Sequence, residues 1–239
     1  MNLVEVKNLY VTFGEHTVLD DISFTIERGD IVAVIGPNGA GKTVLIKTLL
    51  GILKPASGDI VFKKGLKTGY APQKLEFDRN FPMTVEEFML MQSHDRIIFP
   101  SKEGKQKIST LLDEVGVADL GLKKIGDLSG GQLQRVLIAA SLAGDPDIVY
   151  LDEPSAGVDI GGEQTIYHLI DNLHKTRGLT LVLVSHDIDF VYRASNKVLC
   201  LNKRKLCFGV PEVALTAEVM NKVFLEMATP YHHKDHEET

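Results

Sequence analysis

The stretch Gly36-Pro37-Asn38-Gly39-Ala40-Gly41-Lys42-Thr43 sets glycines, one lysine and one hydroxyl in the order Gly-x4-Gly-Lys-Ser/Thr. Glycine backbones can curl until successive N–H groups converge on one oxyanion, and a following helix adds positive potential at its first turn. The lysine then reaches the β and γ phosphates of a nucleotide, and the threonine hydroxyl ligates Mg2+. An ordinary glycine turn is the bland alternative, and the context speaks against it. Residues 30–35, Asp-Ile-Val-Ala-Val-Ile, read as a buried strand before the loop, and residues 44–53 read as a helix after it.

Two acids close a second apolar run. Asp152 ends residues 148–151, where a carboxylate can hold the water shell of Mg2+, and Glu153 stands beside it, placed to take a proton from an attacking water. Solvated strand-end acids would look the same in isolation; the phosphate loop upstream favours the catalytic reading. His186 repeats the arrangement after residues 179–184, so Ser185-His186-Asp187 brings an imidazole to the same sheet edge, within reach of a γ-phosphate. Leu128-Ser129-Gly130-Gly131-Gln132 precedes a helical run, residues 133–143, and sets a serine hydroxyl and glycine amides at a helix N-terminus. Alone it is an N-cap with a flexible turn. Beside the phosphate loop it is a second anion cradle, and the simplest use for both is one nucleotide gripped by the loop of one copy and the turn of another. A head-to-tail homodimer in the presence of ATP is the expectation.

Such side chains need a scaffold that delivers strand ends to one edge. Short apolar runs separated by helical stretches, residues 163–175 among them, predict an α/β chain with a P-loop NTPase (RecA-like) core and a parallel sheet. Strand signals fade between about residues 81 and 115, where residues 85–92 and 105–115 carry apolar positions at helical spacing, so an inserted helical subdomain is expected over about residues 81–144. The nucleotide-binding core then comprises residues 1–80 and 145–230 of a single domain, ahead of a flexible His-rich tail, residues 231–239. Residues 3–10 and 18–26 read as short strands around Gly14-Glu15-His16, an N-terminal antiparallel β flap.

A chain of 239 residues, 44% of them apolar, has material for a sizeable core. Its apolar runs fall far short of the roughly 18 residues that span a bilayer, and its first residues lack the regions of a secretory signal. Neither a membrane span nor export is expected. The formal charge of -6 speaks against nucleic acid as a partner. Cys200 and Cys207 are too few for a disulfide framework and are not spaced as a metal knuckle. They read as buried free thiols of a reducing, cytoplasmic compartment, flanking a turn at Asn202-Lys203-Arg204-Lys205.

The order of the phosphate loop, Gln73, the Leu128 to Gln132 turn, Tyr150-Leu151-Asp152-Glu153-Pro154 and Ser185-His186-Asp187 resembles the ATP-binding cassette family over essentially the whole chain. The resemblance implies an ATPase coupled to transmembrane transport, with ATP and Mg2+ as its cofactors. It implies that Phe13 stacks on adenine and that Val18 and Val44 join the phosphate loop around the nucleotide. Gln73 would link Mg2+ to the helical lobe, and Asp159 in Ser155-Ala156-Gly157-Val158-Asp159 would face the dimer partner. The chain departs from the usual pattern at Val44, where Thr or Ser is common, and at Ala140, where many members carry arginine. Leu133 follows the signature glutamine, and Gly161-Gly162 opens the next helix with poor helix formers. These departures bear on the rate of hydrolysis and leave nucleotide binding intact.

Gly69-Tyr70-Ala71-Pro72-Gln73-Lys74, Phe81-Pro82-Met83-Thr84-Val85, the Gly157-Val158-Asp159 variant and the segment from Val198 to Gly209 resemble the zinc and manganese uptake subfamily, with the zinc-type ATPases nearest. The implied protein lies on the cytoplasmic face of the membrane. There it drives a divalent metal ion, zinc first and manganese as the alternative, through an integral-membrane permease served by an extracytoplasmic metal-binding protein. The ATPase itself need not touch the metal. His232, His233 and His236 in the tail read as part of a solvated end, with loose zinc binding the alternative. Phe77, Phe81 and Phe88 read as lining a groove towards the permease or as lobe core. A cassette protein acting on DNA or ribosomes lacks room for its usual insertions, and a small-molecule kinase would leave the Ser129 turn without a role.

Overall fold

Apolar runs with polar residues only at their ends can be covered on both faces, and three of them are. β3 (Ile31–Ile35), β6 (Ile148–Asp152) and β7 (Thr180–Val184) are buried at every residue. With β5 (Thr68–Ala71), β8 (Lys197–Asn202) and β9 (Arg204–Gly209) they form a six-stranded sheet in the order β5-β6-β7-β3-β8-β9. Every neighbouring pair is parallel except β8 with β9. This computed structural model describes residues 1–73, 75, 82–93, 100–158 and 162–224. Because β3, β7 and β6 are adjacent and parallel, the segments that follow them leave from one edge of the sheet.

The flap is a second sheet, ordered β2-β1-β4, made of β1 (Asn2–Phe13), β2 (His16–Glu27) and β4 (Ser57–Phe62). Its strands are longer than the alternation of the sequence indicates. Irregularities in the β1–β2 register between Val6 and Leu9 and again between Leu9 and Val11 reset the alternation while pairing continues. Leu9, Leu19, Ile22 and Ile26 of the flap pack on Val32 and Val34 of β3 and on Leu45 and Ile46 of α1 (Lys42–Leu49), so the phosphate loop lies over a continuous core.

The helical lobe consists of α2 (Val85–Gln92), α3 (Lys102–Glu114) and α4 (Gly130–Leu142), joined by buried Met89, Ile108, Leu111, Val136 and Leu137. Thr84 starts α2 with a reciprocal cap: its hydroxyl accepts from Glu87 N–H at 3.2 Å, and the Glu87 carboxylate accepts from Thr84 N–H at 2.8 Å. Thr84→Ala is expected to lower stability by about 1 kcal/mol, read as a shift in the urea midpoint at unchanged slope. α5 (Gly162–Arg177) follows β6, and α6 (Ile188–Ala194) follows β7. The short α7 (Pro211–Ala214) and α8 (Ala217–Phe224) cover the β8–β9 end.

Cys200 and Cys207 are not free thiols. They form a disulfide across the β8–β9 pair, where antiparallel register sets them directly opposite with Cα atoms 4.8 Å apart. Among the described residues, no helix is long and apolar enough to cross a membrane. The His-rich tail, Asp159, Phe77 and Phe81 lie outside the described residues.

Candidate nucleotide site

The loop between β3 and α1 closes on itself through Lys42. Its ammonium is buried and donates to the carbonyls of Gly36 at 2.8 Å and Pro37 at 2.9 Å, which holds the loop open around an inner concavity. Burial lowers the Lys42 pKa, and the negative charges of Glu153 and Asp152 oppose that shift. Gly36 must be glycine for a steric reason: a Cβ there would sit 2.0 Å from the carbonyl oxygen of Leu201 on β8. Gly41 takes φ 96° under Leu19 and Val18 of the flap, where a side chain would collide. The flap thus forms one wall of the loop.

A cavity of about 580 Å3 results, lined by Val18, Asn38, Gly39, Ala40, Gly41, Lys42, Thr43, Val44, Gln73, Glu153 and His186. That volume suits a small polar ligand. Gly36 and Pro37 shape the loop from behind through their carbonyls. Asp152 stands behind Thr43 rather than on the cavity wall, its Oδ1 accepting from the Thr43 hydroxyl at 3.2 Å. Burial raises the Asp152 pKa first, and the neighbouring Glu153 charge adds to this; Thr43, Lys47 and Lys42 oppose it. A buried carboxylate in that condition binds either a proton or a cation.

Glu153 is held at both oxygens. Gln73 Nε2 donates to one of them, and His186 Nε2 lies 2.7 Å from the other. The three residues come from after β5, β6 and β7, and only the sheet topology makes them neighbours. Glu153 also takes φ 49°, a left-handed conformation that costs a non-glycine residue about 1–2 kcal/mol. Strain of this kind persists where the surrounding structure fixes the residue, and it recurs at sites of chemistry. Chemically, the arrangement presents a carboxylate, an imidazole and a lysine around a cradle of backbone amides.

Other residues singled out from the sequence do not line this cavity. Ser129 caps α4, its hydroxyl accepting from Gln132 N–H at 3.3 Å while the Gln132 side chain accepts from Ser129 N–H at 3.1 Å. Ser129 and Gly130 are exposed, and Gly131 and Gln132 are partly so. Phe13 stands at the open end of the flap hairpin, 49% exposed and opposite His16.

Sequence reasoning missed most of a second concavity, about 840 Å3, on the other side of Thr43 and Asp152. Lys47, Lys67, Tyr70, Leu75, Phe88 and Gln92 line it together with Gln73, Thr43 and Asp152. Of the three phenylalanines that the sequence assigns to a groove or to lobe core, Phe88 is there, and it also belongs to the buried core of the lobe. Burial, and then the charge of Asp152, pushes the Tyr70 phenol up to about 12.

The profile of the family described as ABC transporter matches residues 19–156. The chain belongs to the ABC transporter family. It is 39% identical over 239 residues to the zinc import ATP-binding protein ZnuC of Yersinia enterocolitica, covering 98% of this chain and 92% of that one. It is 38% identical over 211 residues to the protein of the same name from Wigglesworthia glossinidia brevipalpis, covering 88% of each. Among solved structures, a chain of an ABC transporter described as metal-chelate type, in an inward-facing conformation, superposes with a TM-score of 0.85 at 29% identity, covering 94% of this chain and 90% of that one. The ADP conformation of an ATP-binding cassette of an ABC transporter superposes at 0.79 with 26% identity, covering 96% and 100%. As a cassette of this family the chain binds and hydrolyses ATP on a P-loop NTPase fold.

Proposed function

We propose that this cassette energises the import of zinc through a membrane permease, with two copies closing head to tail around ATP. The observation that carries the reading is the convergence of the phosphate loop, Glu153 and His186 in one cavity, together with full-length likeness to zinc import ATP-binding proteins. Lys42 and the amides of residues 38–43 hold the β and γ phosphates, and exposed Phe13 stacks on the adenine. Thr43 Oγ1 and Asp152 Oδ1, with the Gln73 amide oxygen, are hard oxygen donors of the kind Mg2+ selects. When bound there, the ion neutralises charge building on the phosphates. Glu153 takes the proton of the attacking water on a carboxylate lone pair that the bonds from Gln73 and His186 leave free. His186 then contacts the γ-phosphate.

Ser129, Gly130, Gly131 and Gln132 serve the nucleotide of the partner copy, and Asp159 faces that partner. The groove lined by Tyr70, Phe88 and Lys47 receives the permease, and Thr43 and Gln73 form the wall it shares with the nucleotide cavity. The cassette therefore lies on the cytoplasmic face of the membrane, and an extracytoplasmic metal-binding protein delivers the ion to the permease. Uptake of radioactive zinc by cells lacking their own importer tests the proposal. This chain expressed with its permease should restore uptake, and the Lys42→Ala chain should not. Restored manganese uptake without zinc uptake would overturn the choice of metal.

A further inference from the structure

Behind the Glu153–His186 pair lies a third cavity, about 430 Å3, bounded by Ser155, Glu163, Tyr167 and Asp187 as well as the pair itself. Tyr167 of α5 is 5% exposed, and its ring stacks on Phe190 of α6 with centroids 4.3 Å apart. Its hydroxyl lies 3.2 Å from Ser155 Oγ and 2.9 Å from Ser185 Oγ. A phenol has one proton to give and lone pairs to receive one, so it can bond both serines at once.

Each serine belongs to a segment that carries a reacting side chain. Ser155 sits inside the turn closed by Ala156 N–H on the Glu153 carbonyl at 3.0 Å, the turn that holds Glu153 at φ 49°. Ser185 precedes His186, and its Oγ also accepts from Asp187 N–H at 3.0 Å, so the peptide is fixed on both sides of the imidazole. The turn after Glu153 in turn rests on the start of α4: a Cβ on Gly130 would lie 2.3 Å from the Gly157 carbonyl oxygen.

We infer that Tyr167 is a positioning residue for ATP hydrolysis. Its hydroxyl ties the turn of Glu153 to the peptide of His186, and so transmits displacement of the Gly130 turn to the histidine. The inference rests on the reading of Glu153 and His186 as the hydrolytic pair. Tyr167→Phe keeps the stack on Phe190 and removes only the hydroxyl, so the full-length chain tests it directly. In steady-state assays kcat should fall about tenfold, the worth of a buried hydrogen bond at the transition state, with KM for ATP and the melting temperature unchanged. Tyr167→Phe with Ser185→Ala should lose little more than Ser185→Ala alone, because the two share one network. Unaltered kcat in Tyr167→Phe, beside inactive Glu153→Gln and His186→Ala chains, overturns the role of Tyr167 alone. Full turnover by His186→Ala overturns the reading beneath it. Loss of ATP binding in step with melting temperature shows a merely structural tyrosine and also overturns the inference. Should Tyr167→Phe fail to fold, Ser155→Ala removes the bond from the loop end and carries the same expectations.

Discussion

Glu153→Gln is expected to reduce ATP turnover on the order of 10³-fold, within the range a positioned general base supplies, while ATP still binds. The amide keeps the shape of the carboxylate and can still hydrogen-bond both Gln73 and His186, so the cavity survives. It cannot take a proton from water. Rapid-quench measurement of a single turnover separates the two properties: bound ATP should persist unhydrolysed long after the unaltered chain has converted its own. Turnover within a few-fold of normal would assign the base elsewhere.

Lys42→Ala should weaken ATP binding about 100-fold, the equivalent of nearly 3 kcal/mol and of the order of charge-assisted bonds to phosphate. Two effects combine. The phosphates lose their cation, and the loop loses the brace from Lys42 to the Gly36 and Pro37 carbonyls. The melting temperature without nucleotide should change little, because burial already disfavours the ammonium and its removal relieves a desolvated charge. Calorimetric titration with Mg-ATP, paired with thermal melts, checks both halves. A large fall in melting temperature with unchanged affinity would make Lys42 a structural residue.

The candidate cavity was legible where chemistry follows strand ends. Residues 31–35, 148–151 and 179–184 announce themselves as apolar runs, and once the strands they form lie parallel and adjacent, the loop, Glu153 and His186 must share an edge. α2 was equally plain, because residues 85–92 carry apolar positions at helical spacing. β4 and β5 were less so. β4 opens on Ser-Gly-Asp and is largely exposed, its apolar residues included, and β5 is four residues long with a glycine inside it. The tie through Tyr167 was illegible, since a tyrosine within a helical run reads as core until its hydroxyl is seen between two serines distant in sequence.

The cysteines make a different case. The hairpin pairs Asn202 with Arg204 and Leu201 with Lys205, and a register shift between Cys200 and Leu201 then sets position 200 opposite position 207, so the disulfide follows from the strand register. Composition argued the other way, and it carried less information than geometry. The second concavity was hidden for a further reason: its lining comes from α1, β5, α2 and α4, and no short motif spans such a set.

The central claim is that two copies share each nucleotide between the phosphate loop of one and the Ser129 turn of the other. Light scattering of the Glu153→Gln chain with and without Mg-ATP tests it most directly, because blocked hydrolysis should hold the closed state. The Glu153→Gln monomer should become a dimer on adding Mg-ATP, and a Glu153→Gln, Ser129→Arg chain should bind ATP yet stay monomeric. A Glu153→Gln chain that binds Mg-ATP and remains a monomer would contradict it.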